Sequence, residues 1–194
     1  MTLAFSSAAD ALARLQSIRI VPVIVIDDPA DAVPLARALA GGGLPCAEIT
    51  FRTAHAAEAI RRVTSEAPDL FVGAGTVLSP AQAKAARDAG AQFMVAPGFN
   101  PRVVDYCNEH GIPVYPGICT PTELEAALEK GLTAVKFFPA EPSGGLAFLK
   151  AMAAPYGDVS FMPTGGINAG NVASYLGFKR VVACGGSWMA PSDW

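Results

Sequence analysis

The sequence lacks the features that mark several large classes of protein. No apolar stretch approaches the ~20 residues that a helix needs to cross a bilayer, and residues 1–17 lack the basic start and long apolar segment of a secretory signal. The net charge is −3, and no run of like charge occurs. We therefore expect neither nucleic acid nor a membrane as a partner.

Residues that bind metals are scarce as well. The two histidines, His55 and His110, have no ligand-type partner four residues further on. The four cysteines form no C-x-x-C pair and match no zinc-binding spacing. The sequence therefore predicts no metal site, and free thiols of this kind are typical of a protein in the reducing cytoplasm.

Apolar residues, by contrast, are plentiful. Of the 194 residues, 52% are hydrophobic and 16% are charged, so the chain can bury a large core. Because the composition is even along the chain, we expect one domain over residues 1–194.

Eight apolar runs alternate with helical segments. Glycine follows most of the predicted helices, as is common at helix ends. Alternation of this kind indicates an α/β protein with a parallel sheet. The predicted strands cover residues 19–26, 46–50, 70–75, 92–96, 112–115, the run around Lys136, 159–163 and 181–184.

Eight strand–helix units predict a closed (β/α)8 TIM barrel. An extra amphipathic helix over Ser7–Ser17 precedes the first strand, and the last helix is missing because few residues follow the eighth strand. The helix after the first strand is predicted over residues 29–40. The alternative fold is an open doubly wound sheet, which favours a glycine-rich loop after the first strand; Ile26-Asp27-Asp28-Pro29 is not one.

Lys136 lies in one of the apolar strands, between Ala134-Val135 and Phe137-Phe138. Lysine is rarely buried. Removal from water favours its neutral amine, which attacks carbonyl carbons and forms Schiff bases. The other interpretation is a lysine with a buried stem and an amine that reaches solvent.

Polar residues also occur near the ends of other strands, where a barrel has its active site. Glu48 lies in the second strand and Arg52 follows that strand. Beside a nucleophilic amine, Glu48 is a candidate general acid and base, and Arg52 offers a planar guanidinium to a carboxylate or phosphate. The alternative is a structural salt bridge between Glu48 and Arg52.

Two glycine-rich loops end the last two strands, Thr164-Gly165-Gly166 and Gly185-Gly186-Ser187. These two strands carry the common phosphate site of the barrel fold, where backbone N–H groups bind the anion. A single Gly-Gly pair is often only a tight turn. The Gly73-Ala74-Gly75 segment lacks the third glycine of a dinucleotide fingerprint, and close backbone packing explains it.

Six motifs together resemble one family. They occupy residues 48–53, 73–78, 97–98, 135–141, 163–167 and 185–188. With these motifs, residues 15–192 strongly resemble the class I 2-keto-3-deoxy-6-phosphogluconate (KDPG) aldolases, which often also act on 4-hydroxy-2-oxoglutarate (KHG). The resemblance implies a homotrimeric barrel that needs no cofactor. It would cleave its phosphorylated keto acid to pyruvate and glyceraldehyde 3-phosphate in the Entner–Doudoroff pathway.

The same resemblance implies a role for each matching residue. Lys136 would form the Schiff base, and Glu48 would transfer protons. The residues implied to bind substrate are Arg52 and Thr76 at the carboxylate, Pro97, Phe138 and Thr164 around the pocket, and Gly165, Gly166, Gly185, Gly186 and Ser187 at the phosphate.

Three alternatives stay open. A 2-keto-3-deoxy-6-phosphogalactonate aldolase would share this set of residues. An isomerase or synthase on the same barrel would share the two phosphate loops but would not need an imine at Lys136. A catalytically silent barrel used as an assembly scaffold would not need Glu48, Arg52 and Lys136 together.

Overall fold

The computed structural model of the protein describes residues 7–191, and parallel strands alternate with helices along most of them. The strands are β1 (Ile20–Ile24), β2 (Cys46–Thr50), β3 (Phe71–Gly75), β4 (Phe93–Val95), β5 (Val114–Tyr115), β6 (Gly117–Ile118), β7 (Ala134–Phe137), β8 (Ser160–Pro163) and β9 (Cys184–Gly186). The helices are α1 (Ala8–Ile18), α2 (Ala32–Gly41), α3 (Ala56–Glu66), α4 (Pro80–Asp88), α5 (Pro101–Glu109), α6 (Pro121–Glu129), α7 (Gly145–Ala153) and α8 (Val172–Leu176).

The strands form one curled parallel sheet. Six of them pair in the order β5-β4-β3-β2-β1-β9, and three pair in the order β6-β7-β8. Only Pro116 separates β5 from β6, and its carbonyl accepts a hydrogen bond from Lys136 N–H at 2.9 Å. On the other side, a bridge between Thr164 and Gly185 joins the end of β8 to β9. The predicted α/β class with a parallel, TIM-like sheet is therefore confirmed.

Helix starts follow the sequence signals closely. Ser79, Asn100 and Thr120 accept hydrogen bonds from backbone N–H groups of the first turns of α4, α5 and α6, and proline follows each of them. Ser7 and Asp10 form a capping box at α1. These side chains satisfy N–H groups that a helix start would otherwise leave without a partner.

Three predicted boundaries are wrong. The eighth strand is Cys184–Gly186 and not 181–184, because Val181 makes only an isolated bridge to Phe161 whereas Cys184–Gly186 pairs in register with β1. The segment predicted as one helix over 29–40 divides into a short 3-10 turn, Pro29–Asp31, and α2. The fifth strand resumes after Pro116 as β6. In residues 187–191, the described part after β9, no helix follows.

The end of the barrel at the amino ends of the strands is filled by side chains. Phe71, Phe93 and Tyr115 are buried there with Met162, and the Phe71 and Phe93 rings lie 4.7 Å apart between centroids. Leu15 of α1, which is fully buried, packs in the same cluster. This end is therefore a packed core, and open space for a site remains at the opposite end.

Candidate active site

Lys136 and Glu48 meet inside the barrel. Glu48 stands in the middle of β2, and Lys136 in β7. The exposed fraction is 5% for Lys136 and 0% for Glu48, and Lys136 Nζ lies 3.7 Å from Glu48 Oε1. The closed sheet thus brings an amine and a carboxylate together from strands that are far apart in the sequence.

The Glu48 carboxylate is otherwise unpartnered in the part of the chain that the structure describes. Both of its oxygens are buried, and neither accepts a hydrogen bond from residues 7–191. At 3.7 Å the amine of Lys136 is close enough for ionic attraction but too far for an ordinary hydrogen bond. Because buried carboxylates almost always have hydrogen-bond partners, we interpret these oxygens as held ready for a water molecule or a substrate.

Gly75 provides the space that the Glu48 side chain occupies. A Cβ built on Gly75 would lie 2.7 Å from Glu48 Cγ and still closer to Oε1. Two residues earlier, a Cβ on Gly73 would collide with the Phe93 ring, at 2.6 Å from Cδ2. Close packing therefore explains both glycines, as the sequence suggested. The contact between Gly75 and Glu48 was not predicted, because the sequence of a strand does not show which residue of the neighbouring strand its glycine faces.

The Lys136 amine also lies close to an aromatic ring. Its Nζ is 5.0 Å from the centroid of Phe138, a distance at which the face of a ring attracts a cation. Val135 and Phe137, on either side of Lys136 in the chain, are fully buried in the core between sheet and helices. Side chains alternate along a strand, so this packing directs the lysine to the barrel interior.

A cavity of about 350 Å³ opens at the carboxyl ends of the strands. Seven of the predicted site residues line it, with apolar residues in and just after β1 and in the segments after β8 and β9. The lining comprises Val23, Val25, Arg52, Phe138, Thr164, Gly165, Gly166, Ile167, Gly186, Ser187 and Ala190. Val23, Val25, Ile167 and Ala190 were not predicted as site residues, because an apolar residue in such a chain has no sequence signal that separates lining from core.

Arg52 stands at the edge of this cavity and is exposed. Two threonines fix the turn that carries it: Thr50 Oγ1 donates to Ile24 O at 2.9 Å, and Thr53 Oγ1 donates to Ile26 O at 2.7 Å. Within residues 7–191 Arg52 forms no ion pair with Glu48, which instead faces Lys136. The alternative of a structural Glu48–Arg52 salt bridge is therefore wrong.

Thr76 and Pro97 follow the neighbouring strands β3 and β4, at the same end of the barrel, but neither lines this cavity. Thr76 has a φ of 55°, a left-handed conformation that is uncommon for a residue with a side chain. The next residue continues the sheet, since Val77 N–H donates to Val95 O at 3.1 Å.

The Gly165-Gly166 turn presents free backbone donors to the cavity. Both glycines have positive φ, 97° and 81°. The N–H groups of Gly166, Ile167 and Ser187 donate to no acceptor among the described residues, whereas Gly166 O accepts from the side chains of Asn168 and Asn171. The Asn168 and Asn171 side chains thus fix the Gly166 carbonyl, and several N–H groups of the turn remain available to an anion.

Gly185 has a different environment from its neighbours. It lies in β9, is buried, and does not line the cavity. A Cβ on Gly185 would come within 2.5 Å of Thr164 Oγ1. Thr164 is 5% exposed, and its buried hydroxyl has no hydrogen-bond partner in the described part of the chain. Gly185 therefore gives Thr164 its place at the wall of the cavity.

Three of the four cysteines, Cys46, Cys107 and Cys184, are buried. No cluster of three potential metal ligands occurs within residues 7–191, and no helix there is long and apolar enough to cross a membrane. Cys46 lies two residues before Glu48 in β2; burial, then the charge of Glu48, raises the pKa of its thiol. Burial likewise raises the pKa of Cys107 and of Cys184 to about 12. These three thiols are therefore poor nucleophiles.

The chain is similar to known aldolases over most of its length. A 2-dehydro-3-deoxy-phosphogluconate aldolase of Treponema pallidum is 56% identical over 92% of this chain and 85% of its own length. A KHG/KDPG aldolase of Escherichia coli is 46% identical over 90% of this chain and 82% of its own.

Its fold has close relatives as well. The crystal structure of KDPG aldolase from Legionella pneumophila, with pyruvate captured as a covalent carbinolamine intermediate, has a TM-score of 0.91 at 39% identity. That match covers 94% of this chain and 89% of the other. The family model for KDPG and KHG aldolase matches residues 12–194. The chain belongs to the KDPG and KHG aldolase family.

Proposed function

We propose that the protein is a class I aldolase in which Lys136 forms a Schiff base with the 2-keto group of KDPG and Glu48 moves the protons. The products are pyruvate and glyceraldehyde 3-phosphate, and KHG is a second substrate. The observation that carries the proposal is the buried pair itself, Lys136 Nζ at 3.7 Å from an otherwise unpartnered Glu48 carboxylate. Family membership adds support, because the relatives carry the names of these activities.

The first stage of the reaction joins Lys136 to the substrate. The amine attacks C2 of the keto acid and gives a carbinolamine, and loss of water leaves an iminium. Glu48 lies close enough to accept a proton from the amine and to return it to the departing hydroxyl, directly or through a water molecule. The Phe138 ring beside Nζ can stabilise the positive charge of the iminium.

The second stage breaks the C3–C4 bond. Removal of the C4 hydroxyl proton by Glu48 forms the aldehyde, and the electron pair of the broken bond moves into the iminium to give an enamine. Glu48 then delivers a proton to C3, and water releases pyruvate from Lys136. The iminium supplies the electron sink, so each step is served by groups of this chain.

Different residues are proposed to bind the two ends of the substrate. Arg52, exposed at the cavity edge with Thr76 nearby at the strand ends, is the proposed partner of the carboxylate. The Gly165-Gly166 turn and the segment around Ser187 are proposed to bind the phosphate through free N–H groups, with Gly186 in the wall and Gly185 supporting it through Thr164. Phe138 lines the pocket, and Pro97, at the same end of the barrel but outside the cavity lining, is proposed to approach the substrate.

We also propose that residues 7–191 belong to one (β/α)8 barrel domain with α1 as an added helix, and that the protein acts as a homotrimer in the cytoplasm. The assembly follows from the resemblance of the motifs to trimeric aldolases. A steady-state comparison of KDPG, its 6-phosphogalactonate epimer and KHG separates this function from two others. A 2-keto-3-deoxy-6-phosphogalactonate aldolase would prefer the C4 epimer, and a silent scaffold would turn over neither substrate.

Incubation with pyruvate and borohydride should attach the pyruvate carbons to Lys136. The imine formed there is reduced to a stable amine, which peptide mass spectrometry locates. Lys136→Arg should abolish both the adduct and KDPG cleavage, whereas Lys150→Arg, at an exposed position of α7, should leave both intact. An adduct on Lys130 or Lys150 in the wild-type protein would contradict the assignment.

Glu48→Gln should slow the exchange of pyruvate methyl protons with deuterated water. General acid–base catalysis typically contributes ~10²–10⁴-fold, so we expect a loss in that range, measured by proton NMR. Borohydride should still trap pyruvate on Lys136, since the amine is unchanged. Exchange at the wild-type rate would show that another group transfers the proton.

Gly75→Ala should have a similar effect without altering any ionisable group. Its Cβ would enter the space of the Glu48 side chain, so the carboxylate must move and proton exchange should fall by about tenfold or more. Gly157→Ala is the matched control, because a Cβ there meets open space. Thermal unfolding should be followed in parallel; a folded Gly75→Ala protein with wild-type exchange would refute the packing argument.

Ser187→Ala should weaken the binding of KDPG more than that of KHG. The loss of one hydrogen bond to a charged phosphate should raise the KM for KDPG by about tenfold. KHG lacks the phosphate, and its kcat/KM should stay close to the wild-type value. Equal losses on the two substrates would mean that this segment supports the barrel and does not bind the phosphate.

A further inference from the structure

We propose that Glu141 and Tyr175 form a positioning pair that holds the Gly165-Gly166 turn in the shape that binds phosphate. The proposal deepens the proposed function and rests on its phosphate end. Neither residue lines the 350 Å³ cavity. Both contact the turn or its supports from the side away from the cavity.

The backbone of Glu141 extends the pairing of β7 and β8 beyond the strands. Ala140 N–H donates to Thr164 O at 2.8 Å, and Glu141 N–H donates to Gly165 O at 3.0 Å. These two bonds anchor the start of the turn to the segment that follows the strand of Lys136. They leave the next part of the turn, at Gly166, to be held by side chains.

The Glu141 side chain packs directly against Gly166. A Cβ on Gly166 would lie 2.5 Å from Glu141 Cβ and 2.7 Å from its Cγ, so the stem of Glu141 fills the space where any other residue would place a side chain. Gly166 also has a φ of 81°, which few other residues adopt. The glutamate stem therefore packs against the Gly166 peptide and limits where it can lie.

Tyr175 fixes the other end of Glu141. Its hydroxyl donates a hydrogen bond to Glu141 Oε1, and its ring is 1% exposed in the cluster between sheet and helices. Burial, then the hydrogen bond to Glu141 and the charge of that carboxylate, raises the pKa of Tyr175, so the hydroxyl keeps its proton at neutral pH. A Cβ on Gly145 would lie 3.3 Å from this hydroxyl, which shows how closely α7 approaches the pair.

The bond to Tyr175 also determines where a negative charge lies. Glu141 is exposed as a residue, and its stem packs against Gly166, in the turn whose N–H groups are proposed to receive a phosphate. Held by Tyr175, the carboxylate faces α8. Without that bond it could turn toward the same N–H groups and compete with the phosphate for them. A correctly positioned turn and an unobstructed anion site thus depend on one hydroxyl.

Tyr175→Phe removes the hydroxyl and keeps the ring. We expect the KM for KDPG to rise about two- to tenfold, the effect of one hydrogen bond, with kcat nearly unchanged and kcat/KM for KHG within twofold. Glu141→Ala should behave in the same way. Glu141→Gln keeps the stem and an oxygen that can accept from Tyr175, so it should restore a KM close to that of the wild type.

Tyr156→Phe is the matched control. Tyr156 donates to Glu125 at 2.7 Å on the outer surface, so its removal breaks a bond of the same type away from the cavity and should leave both substrates unaffected. Equal losses on KDPG and KHG in Tyr175→Phe would overturn the proposal in favour of general support of the fold. A Glu141→Gln protein as impaired as Glu141→Ala, or a Tyr175→Phe protein with wild-type kinetics, would overturn it as well.

Binding of inorganic phosphate, measured by calorimetry without turnover, separates the two proposals. If the wild-type protein binds phosphate but cleaves neither substrate, the proposed function fails while the positioning pair is still tested by the loss of phosphate affinity in Tyr175→Phe. If the wild-type protein cleaves KDPG and the affinity for phosphate is the same in Tyr175→Phe, the positioning pair alone fails.

Discussion

One buried acid–base pair, Lys136 and Glu48, constrains the rest of the structure. Lys136 and Glu48 lie inside a closed sheet, where removal of charges from water costs more than their attraction commonly returns. At 3.7 Å, Lys136 Nζ and Glu48 Oε1 are too far apart for an ordinary hydrogen bond, so the pair lacks the geometry of an ideal salt bridge. Stability therefore has to come from elsewhere in the barrel.

The two ends of the barrel have different roles: one stabilises the fold and the other contains the cavity. At the amino ends of the strands, large rings such as Phe71 and Phe93 fill the interior below α1. At the carboxyl ends, glycines replace side chains: Gly75 gives space to Glu48, and Gly185 to Thr164. One end buries apolar area and stabilises the fold, while the other leaves polar groups unsatisfied, as active sites commonly do.

The sequence predicted most of what local rules determine. Capped helix starts such as Ser79-Pro80 were located closely, because proline and the capping hydroxyl act within one turn. The start of β9 was missed because Val181 and Val182 are as apolar as a strand, and only pairing with β1 selects Cys184–Gly186. Tyr175 was missed for a related reason: nothing within its own helix indicates that its hydroxyl meets Glu141, which is distant in the chain.

The pairing of β9 with β1 affects how the protein is made. The strand that begins at Ile20 leaves the ribosome before the other strands of the barrel, but its partner, Cys184–Gly186, is synthesised after all of them. Until then β1 has a free edge, which can pair with other chains. Contacts between such distant segments form slowly. During synthesis, the nascent chain thus carries both Glu48 and Lys136 before the ring of strands that encloses them can close.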